Sequence, residues 1–394
     1  MLNRIIIIGN GFDLAQNLPT SYNNFIDWLI EEKHKKLEEV YYRHEDDDIK
    51  YSPGTYNHKI PFEDVKKKFI YSEVRSIMPI YVGGRSTYQR ENTFDIGQLF
   101  YKNKFLEIII RSRYINGWAD IEELFYEELN KIVSNPKSTD EEIKKFNTEF
   151  YRIISLLEEY LSSVVNENID PNFKERVNSI LNEIMDLDDL SIEFNNKNEI
   201  DLRRYSTDDN GVEHMDILEL EYQTFIIDFN YTQTIKKYYD LTDSNSNYIN
   251  IHGVLNDEKN PIIFGFGDEL DQEYTTIENS KLDGVFEFIK SINYLKTDNY
   301  RKVLNLLEWK EYQVIILGHS CGLTDRTLLN HIFEHPNCIS IKPYYYQWKD
   351  KETEEIKDDY IKIVSNITRN FKDKNKFRDR VVNYKFCEPL IPVE

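Results

Sequence analysis

Cysteine is scarce in this chain: three in 394 residues, Cys321, Cys338 and Cys387. They are odd in number and form no Cys-x-x-Cys pair or Cys/His ligand spacing. That argues against a disulfide framework and a structural zinc module, and suits a reducing cytoplasm. Long apolar runs are also missing. No stretch approaches the ~20 apolar residues of a membrane span, and the opening Ile run is too short for a signal peptide and leads straight into a turn. Positive charge is in deficit. Lys and Arg total 49 against 70 Asp and Glu, a net charge of −21. Such a surface repels phosphate backbones, so direct nucleic-acid binding is disfavoured. Lys66-Lys67-Lys68 and the basic scatter from Lys372 to Arg380 read as solvated helix faces. Aromatic residues, by contrast, are plentiful, with 28 Tyr and 22 Phe to supply core and stacking surface. The length suits one large or two medium domains.

The chain is organised around its first stretch, Arg4-Ile5-Ile6-Ile7-Ile8-Gly9-Asn10-Gly11-Phe12-Asp13-Leu14. Four β-branched residues without polar alternation predict a strand covered on both faces. Gly9 and Gly11 then bracket a tight turn, where a missing Cβ permits positive φ and close approach of backbone or ligand. Helical spacing follows. Strand, glycine turn and helix in that order open dinucleotide-binding folds. A full Gly-x-Gly-x-x-Gly fingerprint would need a third glycine where Leu14 stands, so the turn also fits any α/β protein. Asp13 suits a first helical turn but would repel a pyrophosphate there. With a nucleotide bound it would face a ribose hydroxyl or the nicotinamide end.

Along the chain, Tyr22–Tyr42 reads as one amphipathic helix ending in a solvated acidic run, Glu45-Asp46-Asp47-Asp48. Residues 51–60 read as a loop, 62–76 as a helix, and 79–97 as an irregular insertion that could act as a lid. Asp120 and Glu122 open a helix running to about Val133, where the helix dipole alone favours carboxylates; alternatively one of them reaches a cleft. Residues 140–168 and 171–186 are helical in spacing. Strands are expected at Thr224–Phe229, Tyr248–Ile251, Pro261–Phe264, Gln313–Leu317 and Cys338–Ile341. A helix opens at Thr324-Asp325, and 355–371 closes the chain. The fold class is therefore α/β, a mostly parallel sheet flanked by helices. Residues 1–60 and 206–394 form a nucleotide-binding domain, and 61–205 a mostly helical insertion domain.

Each strand ends in small or polar residues. In an open parallel sheet the carboxyl ends share one edge, and ligands bind there. Gly9-Asn10-Gly11-Phe12, Asn230, His252-Gly253, Gly265-Phe266-Gly267 and Gly318-His319-Ser320, with Asp325, should thus converge on a nucleotide. The ordered segments Ile5–Tyr22, Trp118–Glu122, Asp228–Thr232, Ile251–Gly253, Gly318–Ser320 and Thr324-Asp325 resemble the abortive-infection AbiH family of bacterial anti-phage proteins. That family in turn resembles the sirtuin-like, Rossmann-like NAD-binding fold. The resemblance implies that Asn230 and His252 are the catalytic pair. It places Gly9 and Gly11 on the phosphate-side turn, and Gly318 and Ser320 at the adenosine ribose. It further implies NAD as substrate, hydrolysed to starve an infected cell, with a phage-derived activator. Asn10 and Asp13 depart from the sirtuin pattern, and the absent four-cysteine module argues against protein deacetylation.

The chemistry is coherent. Breaking the nicotinamide–ribose bond builds positive charge on the ribose. A neutral imidazole at His252 can take a proton from water or a ribose hydroxyl. The Asn230 amide can donate and accept at once, and Asp13, or Asp120 or Glu122, can face the developing charge. The plainer alternatives are an orienting core histidine and a strand-end Asx turn; His319 reads as structural. Other functions to weigh are a non-catalytic nucleotide sensor and a metal-dependent nuclease built on Asp13, Asp120, Glu122 and Asp268. No metal is expected for the first two. A lid or a homo-oligomeric assembly would keep a defence enzyme silent.

Overall fold

A computed structural model of the chain describes residues 2–38, 43–52, 69, 76–78, 81–82, 85–86, 92–94, 98–115, 120–165, 169–185, 189–194, 203–207, 213–217, 222–239 and 247–393. The expected helix at 62–76 lies almost wholly outside these residues. So does most of the 79–97 insertion, of which three short strand segments are described. The chain divides into two compact units. One comprises Met1–Thr20, Ser162–Asn279 and Phe286–Glu394, the other Ser21–Leu161 and Ser280–Val285.

The first unit carries the sheet. Its strands are β1 (Leu2–Ile8), β2 (Tyr222–Asp228), β3 (Tyr248–Asn250), β4 (Tyr312–Leu317) and β5 (Cys338–Tyr344). They lie in the order β3-β2-β1-β4-β5, and all are parallel. The chain moves outward from β1 to β3, then returns to β4 on the other side of β1. The unalternating Ile run now has its cause. Ile5 and Ile7 face one core with α3 (Asn299–Trp309), α4 (Arg326–Glu334) and α5 (Tyr360–Arg369). Ile6 and Ile8 face the other with α1 (Asn10–Ala15) and α2 (Pro171–Leu181). Successive strand side chains point to opposite faces, so a strand between two helical layers must be apolar at every position.

One expected strand is absent. Pro261–Phe264 is irregular. Pro261 has no N–H to give a ladder, and the segment folds back on the preceding turn instead. The Ile263 N–H donates to the His252 carbonyl at 2.8 Å and the Val254 N–H to that of Asn260 at 2.9 Å.

In the second unit, helices Tyr22–Glu38, Lys104–Ile115, Ile121–Ser134 and Asp140–Val164 pack around aromatic rings. Phe125 stacks on Phe150 at 4.0 Å and on Phe146 at 5.2 Å. The acidic run at 45–48 is only partly solvated. Asp48 is fully buried, and both it and Asp46 accept from the buried Lys33 ammonium. The Asp46 carboxylate also takes the Asp48 and Ile49 N–H groups at 2.9 and 2.8 Å, which forms the turn into strand Ile49–Ser52. Asp120 caps its helix, accepting from the Glu122 and Glu123 N–H groups at 3.1 Å each. Glu122 is buried within this unit. Among the described residues no helix is long and apolar enough to cross a membrane.

Candidate functional site at the carboxyl edge of the sheet

The site is built where β1 and β4 end side by side. The Gly9 N–H donates to the Leu317 carbonyl at 3.1 Å, and the Gly11 N–H to that of Gly318 at 2.7 Å. Neither Gly9 nor Gly11 uses positive φ: Gly9 is extended at φ −134° and Gly11 is helical. Both are required for space. A Cβ on Gly9 would lie 2.5 Å from the His319 Cα, and one on Gly11 2.6 Å from the Gly318 carbonyl oxygen. Gly318 does adopt the left-handed region, at φ +69°. The turn after β1 is thus packed against the turn after β4, backbone on backbone.

That packing aims His319 inward. Its Nδ1 accepts the Cys321 N–H at 3.0 Å, so its proton sits on Nε2, 3.6 Å from Asp325 Oδ2. His252, at the turn after β3, directs its Nε2 to the other carboxylate oxygen, Asp325 Oδ1, at 3.2 Å and to the Tyr294 hydroxyl at 3.1 Å. Lys290 Nζ donates to the same Asp325 Oδ1 at 2.8 Å. Phe229 packs its ring edge-on to both imidazoles, at 5.0 and 4.4 Å. All four ionisable groups are buried.

The segment 264–268 explains how Lys290 and Asp325 meet. Its backbone bonds the 288–290 segment on one side, Phe266 N–H to the Phe288 carbonyl and Lys290 N–H to that of Phe266. On the other side the Thr327 N–H donates to the Gly267 carbonyl. Gly265 is needed because a Cβ there would lie 1.9 Å from the Phe288 carbonyl oxygen.

Burial alone would raise the Asp325 carboxyl. The Lys290 ammonium and the His252 and His319 imidazoles outweigh it and hold this carboxyl well below the usual carboxylate range. Burial and then Lys290 lower His252, outweighing Asp325. His252 is therefore a neutral imidazole whose Nε2–H is held by a carboxylate, which leaves Nδ1 as its basic nitrogen.

A second cluster lies at the end of β2. Thr232 donates its hydroxyl to Asp13 Oδ2 at 2.6 Å, and Thr234 donates to Asp13 Oδ1. The Tyr248 hydroxyl donates to Asp228 Oδ2 at 2.6 Å, and the Asn230 N–H to Asp228 Oδ1 at 2.9 Å. Burial raises both carboxyls, Asp228 to about 7. Asn230 links the clusters, its amide donating to the Gly9 carbonyl at 3.1 Å.

Sequence reasoning picked out Gly9, Gly11, Asn230, His252, Gly318, His319 and Asp325, and the fold brings them to one rim. Other expected members sit apart from the imidazoles. The Phe12 ring lies in the core against Phe173, at 5.1 Å. Asn10 accepts from Thr20 at 2.5 Å, and Ser320 is exposed, its carbonyl taking the Asn366 amide at 2.8 Å. Gly253 turns the chain at φ +83° beneath the Pro261 carbonyl. Lys290 and Tyr294 were missed, since neither stands at a strand end. Asp228 was missed as a site residue although a charge closing an apolar strand was its signal. Asp268 is paired with Arg326 at 3.1 Å. Among the described residues no group of three or more His, Cys, Asp or Glu could hold a metal ion.

No curated protein and no solved structure matches the chain. The sequence does match the family described as Bacteriophage abortive infection AbiH over residues 5–347. That span holds β2 to β5, β1 from Ile5 onward and every residue of the two clusters, and the chain belongs to the AbiH family, whose description is abortive infection of bacteriophage.

Proposed function

We propose that the protein acts in phage defence by hydrolysing NAD at the nicotinamide–ribose bond. The observation that carries this reading is the buried His252 imidazole, anchored through Nε2 on the buried Asp325 carboxylate. It lies at the carboxyl edge of a parallel sheet whose order reverses between β1 and β4. That order is the one found in Rossmann-like sheets, whose ligands bind at such a reversal. In the proposed reaction the C–N bond breaks with its electron pair leaving on nicotinamide. Water adds to the ribose carbon and gives its proton to His252 Nδ1, yielding nicotinamide and ADP-ribose. The Asn230 amide donates to Gly9 and toward Asp13, and its oxygen orients the ribose or the water. The test is nicotinamide release from NAD, with and without phage lysate as activator, by the wild type, His252→Ala and Asn230→Ala. The expected loss is about 10²–10⁴-fold in His252→Ala. A wild type that never turns over, or variants that match it, would sink the reading.

A non-catalytic nucleotide sensor is the second reading. It is favoured by the turn after β1, whose Gly9 and Gly11 N–H groups already donate to the chain's own carbonyls. Calorimetric binding of NAD or ADP-ribose without turnover selects it. Binding of neither removes both readings.

A further inference from the structure

The mechanism above uses one end of the His252–Asp325 pair and leaves a buried lysine unexplained. Lys290 is 1 % exposed, in a position where a long apolar side chain would fill the same space without a charge to desolvate. Its ammonium and the His252 Nε2 meet on the same oxygen, Asp325 Oδ1, at 2.8 and 3.2 Å. We propose that Lys290 is a positioning residue that acts through Asp325, fixing the carboxylate as an acceptor for the Nε2–H and so keeping Nδ1 of His252 as a free base.

The charges around the ring give the reason. An imidazole facing a lone buried carboxylate is drawn toward the charged, protonated form, which has no lone pair to accept a proton. Lys290 cancels that pull while leaving the carboxylate ionised. Of the other groups facing His252, His319 acts in the same direction as Lys290, and Tyr294 at 3.1 Å and the Tyr231 ring stacked at 6.3 Å are phenols. The proposal rests on the reading of His252 as a base, so its test needs a measure independent of turnover.

That measure is the titration of the His252 ring by NMR in protein labelled at histidine, with His252→Gln to assign the signal. In Lys290→Met the His252 midpoint should rise above that of the wild type, and Lys290→Arg should titrate as the wild type does. Nicotinamide release by Lys290→Met should fall on the order of tenfold at neutral pH and recover as pH rises through the new midpoint. Asp325→Asn covers the case in which Lys290→Met does not fold. With the carboxylate gone and the ammonium kept, the His252 midpoint should fall below that of the wild type. A midpoint that stays put in a folded Lys290→Met, or rises in Asp325→Asn, overturns the role of Lys290 whether or not NAD is hydrolysed. An absence of nicotinamide release with the midpoints moving as stated overturns the NAD reading alone.

Discussion

Asp325 and Asp228 are both buried carboxylates at the carboxyl edge of one sheet, Asp228 at the end of β2 and Asp325 in the turn after β4, yet their protonation is driven in opposite directions. The difference lies in what faces them. Asp325 meets an ammonium and two imidazole N–H groups. Asp228 meets the Tyr248 hydroxyl and a backbone N–H, with the Asp13 carboxylate adding like charge that the Lys236 ammonium, a smaller influence, does not offset. Hydrogen bonds alone do not offset burial of a charge; an opposite charge does. One rim of the sheet thus holds an ionised acceptor that orients a base. Another part of the same rim holds Asp228, an acid able to carry a proton near neutrality.

The largest break in this comparison is Asp325→Ala. It removes the carboxylate facing a buried ammonium and should cost about 3–5 kcal/mol in urea unfolding. Adding Lys290→Met should recover part of that loss, because the stranded charge goes too. A double variant as unstable as the sum of the singles would show that Lys290 and Asp325 are not a balanced pair.

Much of this arrangement is legible in the sequence, for a definite reason. Ile5–Ile8 announce a strand covered on both faces because burial there is two-sided. Asn230, His252 and His319 are conspicuous because polar residues directly follow apolar strand stretches. Lys290 is hidden because lysine is ordinarily a surface residue. Only the stacking of 264–268 between 288–290 and 324–327 carries it to Asp325. Asp46 and Asp48 misled for the converse reason. An acidic run reads as solvated unless the lysine that neutralises it, Lys33 here, is known to fold back on it. Pro261–Phe264 has strand-like apolarity, but its backbone bonds go to the turn at His252–Val254.

Asp228→Asn sharpens the other half of the comparison. Its folded-state carboxyl, at about 7, lies above the ordinary value of 3.8. The folded chain therefore holds a proton that the unfolded chain releases. Stability from this group is full below the unfolded value and is lost as pH rises through about 7. Asn keeps an acceptor oxygen for the Asn230 N–H, presents an NH2 that the Tyr248 hydroxyl can accept, and does not titrate. The variant should lose less stability than the wild type between about pH 4 and about pH 8, by at most about 4 kcal/mol. Equal slopes would mean that Asp228 is ionised like Asp325. Asp325 itself has the opposite sign, its contribution present above the unfolded value and lost as acid protonates it.

Thr234→Val is a smaller perturbation of the same cluster. It removes one of two hydroxyls given to Asp13 while keeping the shape. The expected cost is about 1–3 kcal/mol, greater at alkaline than at acid pH, since the hydroxyl supports the ionised form. A cost independent of pH would place Asp13 permanently in one protonation state.

The smallest effect tests how the ionised side is held in place. Cys321 has φ +54°, a left-handed conformation rare outside glycine, and this turn aims its N–H at His319 Nδ1. The thiol is fully buried in the core on this face of the sheet, so glycine and alanine both forfeit its packing. Only glycine also relieves the backbone. Cys321→Gly should therefore be more stable than Cys321→Ala by up to about 1 kcal/mol, measured as the difference between their urea midpoints. Both variants lose the sulfur, so the comparison sets the backbone relief in glycine against the one buried methyl that alanine keeps, worth about 0.8 kcal/mol. An alanine variant more stable by about that much would mean that the turn orienting His319 toward Asp325 is relaxed, and that the imidazole's direction follows from Gly9 and Gly318 packing alone.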